Sequence, residues 1–403
     1  MVVSTETLNK WLVLVLVTMV HMLVVGIPWA VMPVLFTSTA KELNLSLGQI
    51  GLLWSMLPMG AAVFALPGGL LGDRLGFVRT IGIGCFAVAL ANGLRGVSSN
   101  LSTLTIFMFL CGASVALVFP NLQRVSGVFF PRNQLGLATG ILISGFAIGG
   151  VLATALSATV IMPLLGSWRN VLFLYSVLCL LSGIIWFLLM RTPETSPNST
   201  NVGNQLPRAT FRKSIASVFR IKDTWLLSAG NLGIVGSFIS LNGYLPTYLE
   251  RTGLAKNIGD TMASTLFLAS IIGAIVIPTL ADRLGARKMV LIVSAIITFV
   301  GIILLSVASP ALFWVLIPLT GCTTQGIGTL VIMQTVQTKG IGLVYAGTAL
   351  GLIGCFANIG GFVMPIIGGK LAESNQTWPF ILWALLSLSA AGCFALLKDA
   401  KSR

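Results

Sequence analysis

Arg124 sits seven residues before Pro131, inside a long apolar run. At ~1.5 Å per helical residue that places it roughly 10 Å from the end of the run. If the run crosses a membrane, a charge at that depth is costly and marks a functional candidate. Ser114, Leu117, Asn121 and Arg124 follow a helical spacing and share one face. The planar guanidinium fork suits a carboxylate, because it can hold two oxygens at once. The alternative is an arginine that snorkels its head group to the nearer membrane surface. The position about 210 residues further on is Gln334. One cation and one amide would suit a small mono-anion better than a dicarboxylate.

His21 is the sole histidine, near the middle of the first apolar run. It could take a proton near neutral pH, or stay neutral and bond to a neighbouring helix. Trp29 and Met22 share the other inner face of that run. Asn231, Phe238 and Asn242 fall on one face of a later run, and Thr323 or Gln325 could add hydrogen bonds. Each of these could equally be polar glue between helices. The ten acidic residues fall in loops, termini or the ends of runs. No carboxylate is therefore expected inside a span, and proton coupling through one is not expected. Without a cluster of His, Asp, Glu or Cys, neither an enzyme nor a metal or cofactor site is expected. The six cysteines all lie in apolar runs without ligand-like spacing and read as small packing residues.

The elements that must position these residues are membrane helices. Of 403 residues, 56% are hydrophobic and 8% charged. That is far below the quarter or so of charged residues in soluble domains. Apolar runs long enough to cross a ~30 Å bilayer core recur at 11–36, 48–72, 78–98, 101–130, 135–163, 168–190, 224–249, 258–281, 287–307, 310–336, 342–369 and 376–397. The formal charge of +14 does not imply nucleic acid. With a cytoplasmic N-terminus, three quarters of the 24 Lys and Arg fall on the cytoplasmic side, the positive-inside bias that orients membrane proteins. Residues 1–10 are polar and carry no signal-peptide cleavage pattern. Residues 191–223 form the longest polar stretch. Its first part is rich in Pro, Ser, Thr and Asn, and its second part reads as a basic amphipathic helix at the membrane surface.

The two sides of that stretch repeat each other. Asp73 and Asp282, the pairs Gly149-Gly150 and Gly360-Gly361, and Trp168 and Trp378 all recur at an offset of about 210 residues. A duplicated six-helix unit explains this, and internal repeats with a site between them are typical of transporters. The expected domains are 1–190, a linker 191–223, and 224–403. The loop between the second and third spans reads Gly69-Leu-Leu-Gly-Asp73-Arg74-Leu-Gly76-Phe-Val-Arg79. It resembles the signature loop G-x-x-x-D-R-x-G-x-x-R of the major facilitator superfamily. Asp282-Arg283-Leu-Gly285-Ala-Arg287 repeats it, with Pro278 at the first glycine position. The resemblance covers essentially the whole chain. It implies an all-helical fold of two pseudo-symmetric six-helix bundles, alternating access, a cavity lined by spans one, four, seven and ten, and a conformational latch in these loops.

A narrower resemblance rests on three segments. Phe119-Pro-Asn-Leu-Gln-Arg124-Val-Ser-Gly-Val-Phe-Phe130-Pro131 is similar to a segment of the anion:cation symporter branch. Asn242-Gly-Tyr244-Leu-Pro246-Thr-Tyr248 is similar to a segment of organic-anion and cyanate-type carriers, and Asn358-Ile-Gly-Gly361 before Pro365 is similar to that branch. Met108, Gln134 and Leu135 depart from the branch pattern. The resemblance implies secondary or facilitative transport of a small organic or inorganic anion, monocarboxylate-like, with a proton or counter-substrate as a possible second partner. The alternative is an exporter or carrier of a neutral or amphiphilic compound. Phe146 stands at the proline position of an antiporter glycine motif, which weakens that alternative. A monomer in the cytoplasmic membrane is expected, multi-pass, with both termini cytoplasmic.

Overall fold

A computed structural model describes residues 10–130, 134–190 and 217–398. Among the described residues it is helical throughout, and twelve helices are long and apolar enough to cross a membrane. They are α1 (Lys10–Leu43), α2 (Leu47–Leu75), α3 (Phe77–Gly96), α4 (Leu101–Phe129), α5 (Leu135–Leu156, carried on through Ser157–Ile161 to Leu165), α6 (Trp168–Leu189), α7 (Lys222–Arg251), α8 (Lys256–Leu284), α9 (Arg287–Leu305), α10 (Pro310–Gln337), α11 (Gly342–Ser374) and α12 (Trp378–Ala395). The Pro/Ser-rich stretch and most of the basic amphipathic segment expected at 191–223 lie outside the described residues.

Most boundaries fall within a few residues of the apolar runs. The largest differences are at α1, which continues to Leu43 where its apolar run ends at 36, and at the C-terminal end of α11, where polar residues also extend the helix. The extra turns of α1 stop at Asn44, whose φ of 52° is left-handed, a conformation Asn tolerates better than most residues. The Asn44 and Leu45 amides then donate to the Ala40 carbonyl, closing the helix end. Ser46 and Gln49 form a reciprocal capping box that starts α2.

The glycines of the two signature loops have a backbone reason. Gly76 has φ 83° and Gly285 has φ 59°. Each chain turns there through the left-handed region, which glycine enters without steric cost. The repeated order Asp-Arg-Leu-Gly is thus a repeated helix–turn–helix geometry.

The chain separates into two compact units. One holds Met1–Glu194 with Asn242–Phe267, the other Thr195–Leu241 with Leu268–Arg403. Helices α7 and α8 therefore contribute to both. In the first unit a core from Val13 to Met190 is built from α1, α3, α4, α5 and α6. Trp186 donates its indole N–H to the Val78 carbonyl at 2.8 Å, tying α6 to α3. The end of α7 packs here too, and a Cβ on Gly243 would fall 2.4 Å from the Trp54 ring of α2. Phe267 of α8 meets Phe146 of α5 edge-on at 6.3 Å. In the second unit the core runs from Leu227 to Leu397, and the Ser237 hydroxyl of α7 donates to the Trp383 carbonyl of α12 at 2.8 Å.

The glycine anchors of the sequence repeat are helix crossings. In the first unit a Cβ on Gly149 of α5 would lie 2.4 Å from the Met22 carbonyl oxygen and 3.0 Å from Gly26 Cα of α1. In the second, a Cβ on Gly360 of α11 would lie 2.5 Å from the Leu232 carbonyl oxygen and 3.2 Å from Gly236 Cα of α7. Backbones touch at both places, as small residues permit in membrane bundles. The tryptophan anchors share a place but not a contact. Trp168 is buried and donates to Glu42 at 2.5 Å, whereas Trp378 is 49% exposed. Arg169 pairs with the same Glu42, lies over the Trp168 ring and donates to the Ser98 carbonyl, so α1, the loop after α3 and α6 are joined. Glu42 is half exposed, so Glu42→Gln is expected to cost only about 1 kcal/mol. Thermal unfolding reads this as a shift of a few degrees.

Candidate functional site

Helix α1 is interrupted at its middle. Residues His21–Gly26 form a wide π-type turn, and Pro28 follows without an N–H to donate. Such turns in a membrane helix occur often at functional positions. His21 opens the turn and is 1% exposed. Its Nδ1 lies 2.7 Å from the Leu142 carbonyl of α5 and so must carry the proton and donate. The Phe119 and Phe146 rings flank it at 5.6 and 6.0 Å, and Nε2 is buried without a partner. The arrangement ties the histidine to a neighbouring helix.

Beside Pro28 lies a cation that the sequence reading did not single out. Arg95, near the end of α3, is 0% exposed. Its Nη1 donates to the Asn92 side-chain oxygen at 2.9 Å, the Cys111 sulfur of α4 at 3.1 Å and the Pro28 carbonyl of α1 at 3.3 Å. Its Nε and Nη2 have no partner. Among the described residues no carboxylate lies within ion-pair distance. A buried charge normally has a counter-ion, and the described residues supply none to this one. Asn92 continues the web to Cys179 of α6 at 3.7 Å, and Cys179 donates to the Leu23 carbonyl of α1 at 3.2 Å. Two cysteines read as packing residues thus also serve as soft polar neighbours of a guanidinium. The signal available in the sequence was Asn92 and Arg95 three residues apart, two polar groups on one face of an apolar helix.

Arg124 is half-buried on α4. Asn121, one turn earlier, is 0% exposed and donates to the Gly68 carbonyl of α2 at 3.1 Å and to Leu117 at 2.8 Å. A Cβ on Gly72 would strike its side-chain oxygen at 1.9 Å, so this asparagine reads the glycine face of α2 next to the signature loop. Trp29 is half-buried against the core of the first unit. Asn242 and Tyr244 are both buried, at 5% and 8% exposure, with Asn242 Oδ1 unpaired and the Tyr244 ring 6.0 Å from that of Tyr248. The first unit thus holds His21, Trp29, Asn121, Arg124, Asn242 and Tyr244, and adds Arg95.

The second unit holds the rest. Gln325 and Gln334 are half-buried on α10, and Asn358 of α11 donates back to the Gly354 carbonyl at 2.9 Å. Thr323 accepts from Thr298 of α9 at 2.7 Å, so it bonds α9 to α10. In the second signature loop Arg287 donates to Asp282 at 2.7 Å through Nε and also bonds Gln337 at the end of α10. The loop is thereby tied to α10, while Arg283 is exposed. In the first loop Gly69 has open space where a Cβ would be, Arg74 and Arg79 are exposed, and the Asp73 side chain lies outside the described set.

One expectation is corrected. Asp260 stands within α8, which begins at Lys256, and is 3% exposed with Oδ2 unpaired. A carboxylate is therefore buried inside a span. Asp260 is the third residue of the 258–281 run and so counted as a run end, but the helix already begins at Lys256, which places Asp260 in its second turn. Among the described residues no group of His, Cys, Asp and Glu could hold a metal ion.

The family model of the Major Facilitator Superfamily matches residues 14–345. The chain is 24% identical over 367 residues to a gentisate transporter of Corynebacterium glutamicum, covering 90% of this chain and 82% of that one. It is 24% identical to a cis,cis-muconate transport protein of Acinetobacter baylyi, covering 69% and 68%. Among solved structures the nucleoside transporter NupG superimposes with a TM-score of 0.76 at 14% identity, covering 96% and 98%. That likeness shows the fold. The chain belongs to the Major Facilitator Superfamily and is a polytopic membrane transporter.

Proposed function

We propose that the protein carries a small organic anion, of monocarboxylate type, across the cytoplasmic membrane by alternating access. The observation that carries this reading is Arg95. A guanidinium buried at 0% exposure with two unmatched nitrogens is a standing demand for an anion. The relatives named for gentisate and cis,cis-muconate carry organic acids and support the same class. In this reading residues 1–190 and 224–403 act as two six-helix halves joined by 191–223, with both termini cytoplasmic and the protein working as a monomer. Arg124 receives the carboxylate from the cytoplasmic side. Asn121, His21, Trp29, Asn242, Tyr244, Gln325, Gln334 and Asn358 shape the path, and the loops around Asp73 and Asp282 latch the halves. A proton or counter-substrate accompanies the anion.

Thermal unfolding of wild type and Arg124→Gln tests this against small carboxylates, nitrate, cyanate and neutral controls. A ligand at 100 times its Kd adds about 2.7 kcal/mol to the folded state. The expected result is a shift from one class of anion, lost in Arg124→Gln. Shifts from neutral compounds alone would instead favour a carrier of neutral or amphiphilic molecules.

A further inference from the structure

The first compact unit holds a second place where an anion can sit, separate from Arg95. The C-terminal ends of α1 and α7 and the start of α2 line an open cavity of about 450 Å³. That is within the range of small-molecule sites. Lys41 and Arg251 line it, one from the last turn of each helix. A basic residue at a helix C-terminus is favoured by the helix dipole, which accounts for one cation on each helix. It does not account for both lining one cavity without a carboxylate within 4.0 Å of either, among the described residues. Nor does it account for Thr247. This threonine is 5% exposed, lines the same cavity, and its hydroxyl has no partner. Glu250 adds an acceptor, and Leu47 and Ile50 add an apolar wall.

We propose that this cavity is a capture site for a small hydroxylated carboxylate with a flat apolar body. The carboxylate lies between Lys41 and Arg251, a ligand hydroxyl donates to Glu250 or meets Thr247, and the body rests on Leu47 and Ile50. Glu250 repels a bare anion and accepts from a hydroxyl, so it selects hydroxylated acids over plain ones. Lys41 and Arg251 are exposed, so a ligand reaches the cavity from water. The role as a waystation rests on the anion-carrier reading above. The binding itself does not.

The test uses the full chain, a hydroxybenzoate and benzoate as probes, and the variants Lys41→Gln/Arg251→Gln and Glu250→Gln. All three residues lie at or near the surface, where substitution leaves the fold intact. Uptake into proteoliposomes is expected to show KM for the hydroxybenzoate raised about tenfold in the double variant, equivalent to ~1.4 kcal/mol, while the maximal rate moves less than twofold. Glu250→Gln is expected to narrow the preference for hydroxybenzoate over benzoate. If wild type carries the acid and neither variant changes KM, the capture site is overturned and the anion-carrier reading stands. If wild type carries no carboxylate, that reading fails, and calorimetric titration of the purified protein decides the site. Hydroxybenzoate binding lost in the double variant upholds it, and absence of binding overturns it. Binding that phosphatidylglycerol displaces, with no discrimination between the two acids, would identify a lipid headgroup site and also overturn the proposal.

Discussion

Arg95→Met is expected to reduce carboxylate transport by about a hundredfold or more while the protein remains folded. Hydrogen bonds to a charged group are each worth about 1.5–3 kcal/mol, and Arg95 has two buried nitrogens without a partner among the described residues. The loss should appear in kcat/KM measured in vesicles. Stability responds differently. A buried charge without an ion partner carries a desolvation cost, and an apolar residue of similar length relieves it. Against that, the Asn92 side-chain oxygen and the Pro28 carbonyl lose a donor. The two effects oppose each other, so the unfolding temperature should move by only a few degrees. Arg95→Lys keeps the charge but loses the planar fork and should recover transport in part. Full transport by Arg95→Met at an unchanged unfolding temperature would remove Arg95 from the substrate path.

The second large effect belongs to the paired glycine crossings. Gly149→Val places atoms where the Met22 carbonyl now sits, and Gly360→Val does the same at Leu232. Neither obstacle is a flexible side chain, so whole helices must separate. Overpacking of this kind costs about 1–3 kcal/mol even where side chains can adjust, and more where backbone must move. Each variant should lose folded protein on size-exclusion chromatography, and the two losses should be similar because the crossings are alike. A variant that elutes and unfolds as wild type does would show that the helices are not held at this separation in the membrane.

The number and order of the spans were legible because a bilayer leaves little choice. A backbone crossing it must be helical and long enough. The repeated loop was legible for a similar reason, since Gly76 and Gly285 meet a left-handed turn that few other residues tolerate. The interior web was not. Pro28, Asn92, Arg95, Cys111 and Cys179 meet across four helices, and beyond the three-residue spacing of Asn92 and Arg95 nothing in the sequence announces it. Arg95 lies near the end of α3, and only the packed bundle shows that its side chain is buried. Asn121 shows the opposite failure. It was grouped by spacing with Arg124 on one face of α4, and its side chain is buried and bonds the α2 backbone at Gly68. Asp260 lies at the start of its apolar run, where a carboxylate reads as facing water, and only the packed helix shows it buried.

The shared ownership of α7 and α8 bears on how the chain is made. The first compact unit includes residues Asn242–Phe267, where Gly243 meets Trp54, Lys256 reaches Ser38 at 3.4 Å and Phe267 covers Gly150. A ribosome that has translated only as far as the polar linker has therefore delivered an unfinished body. Its closing piece arrives two helices later, after the following segment has begun to insert. The surfaces around Trp54, Ser38 and Gly150 therefore gain these partners only once α7 and α8 have been made, and a gene cut at the linker would separate them from the rest of the first compact unit.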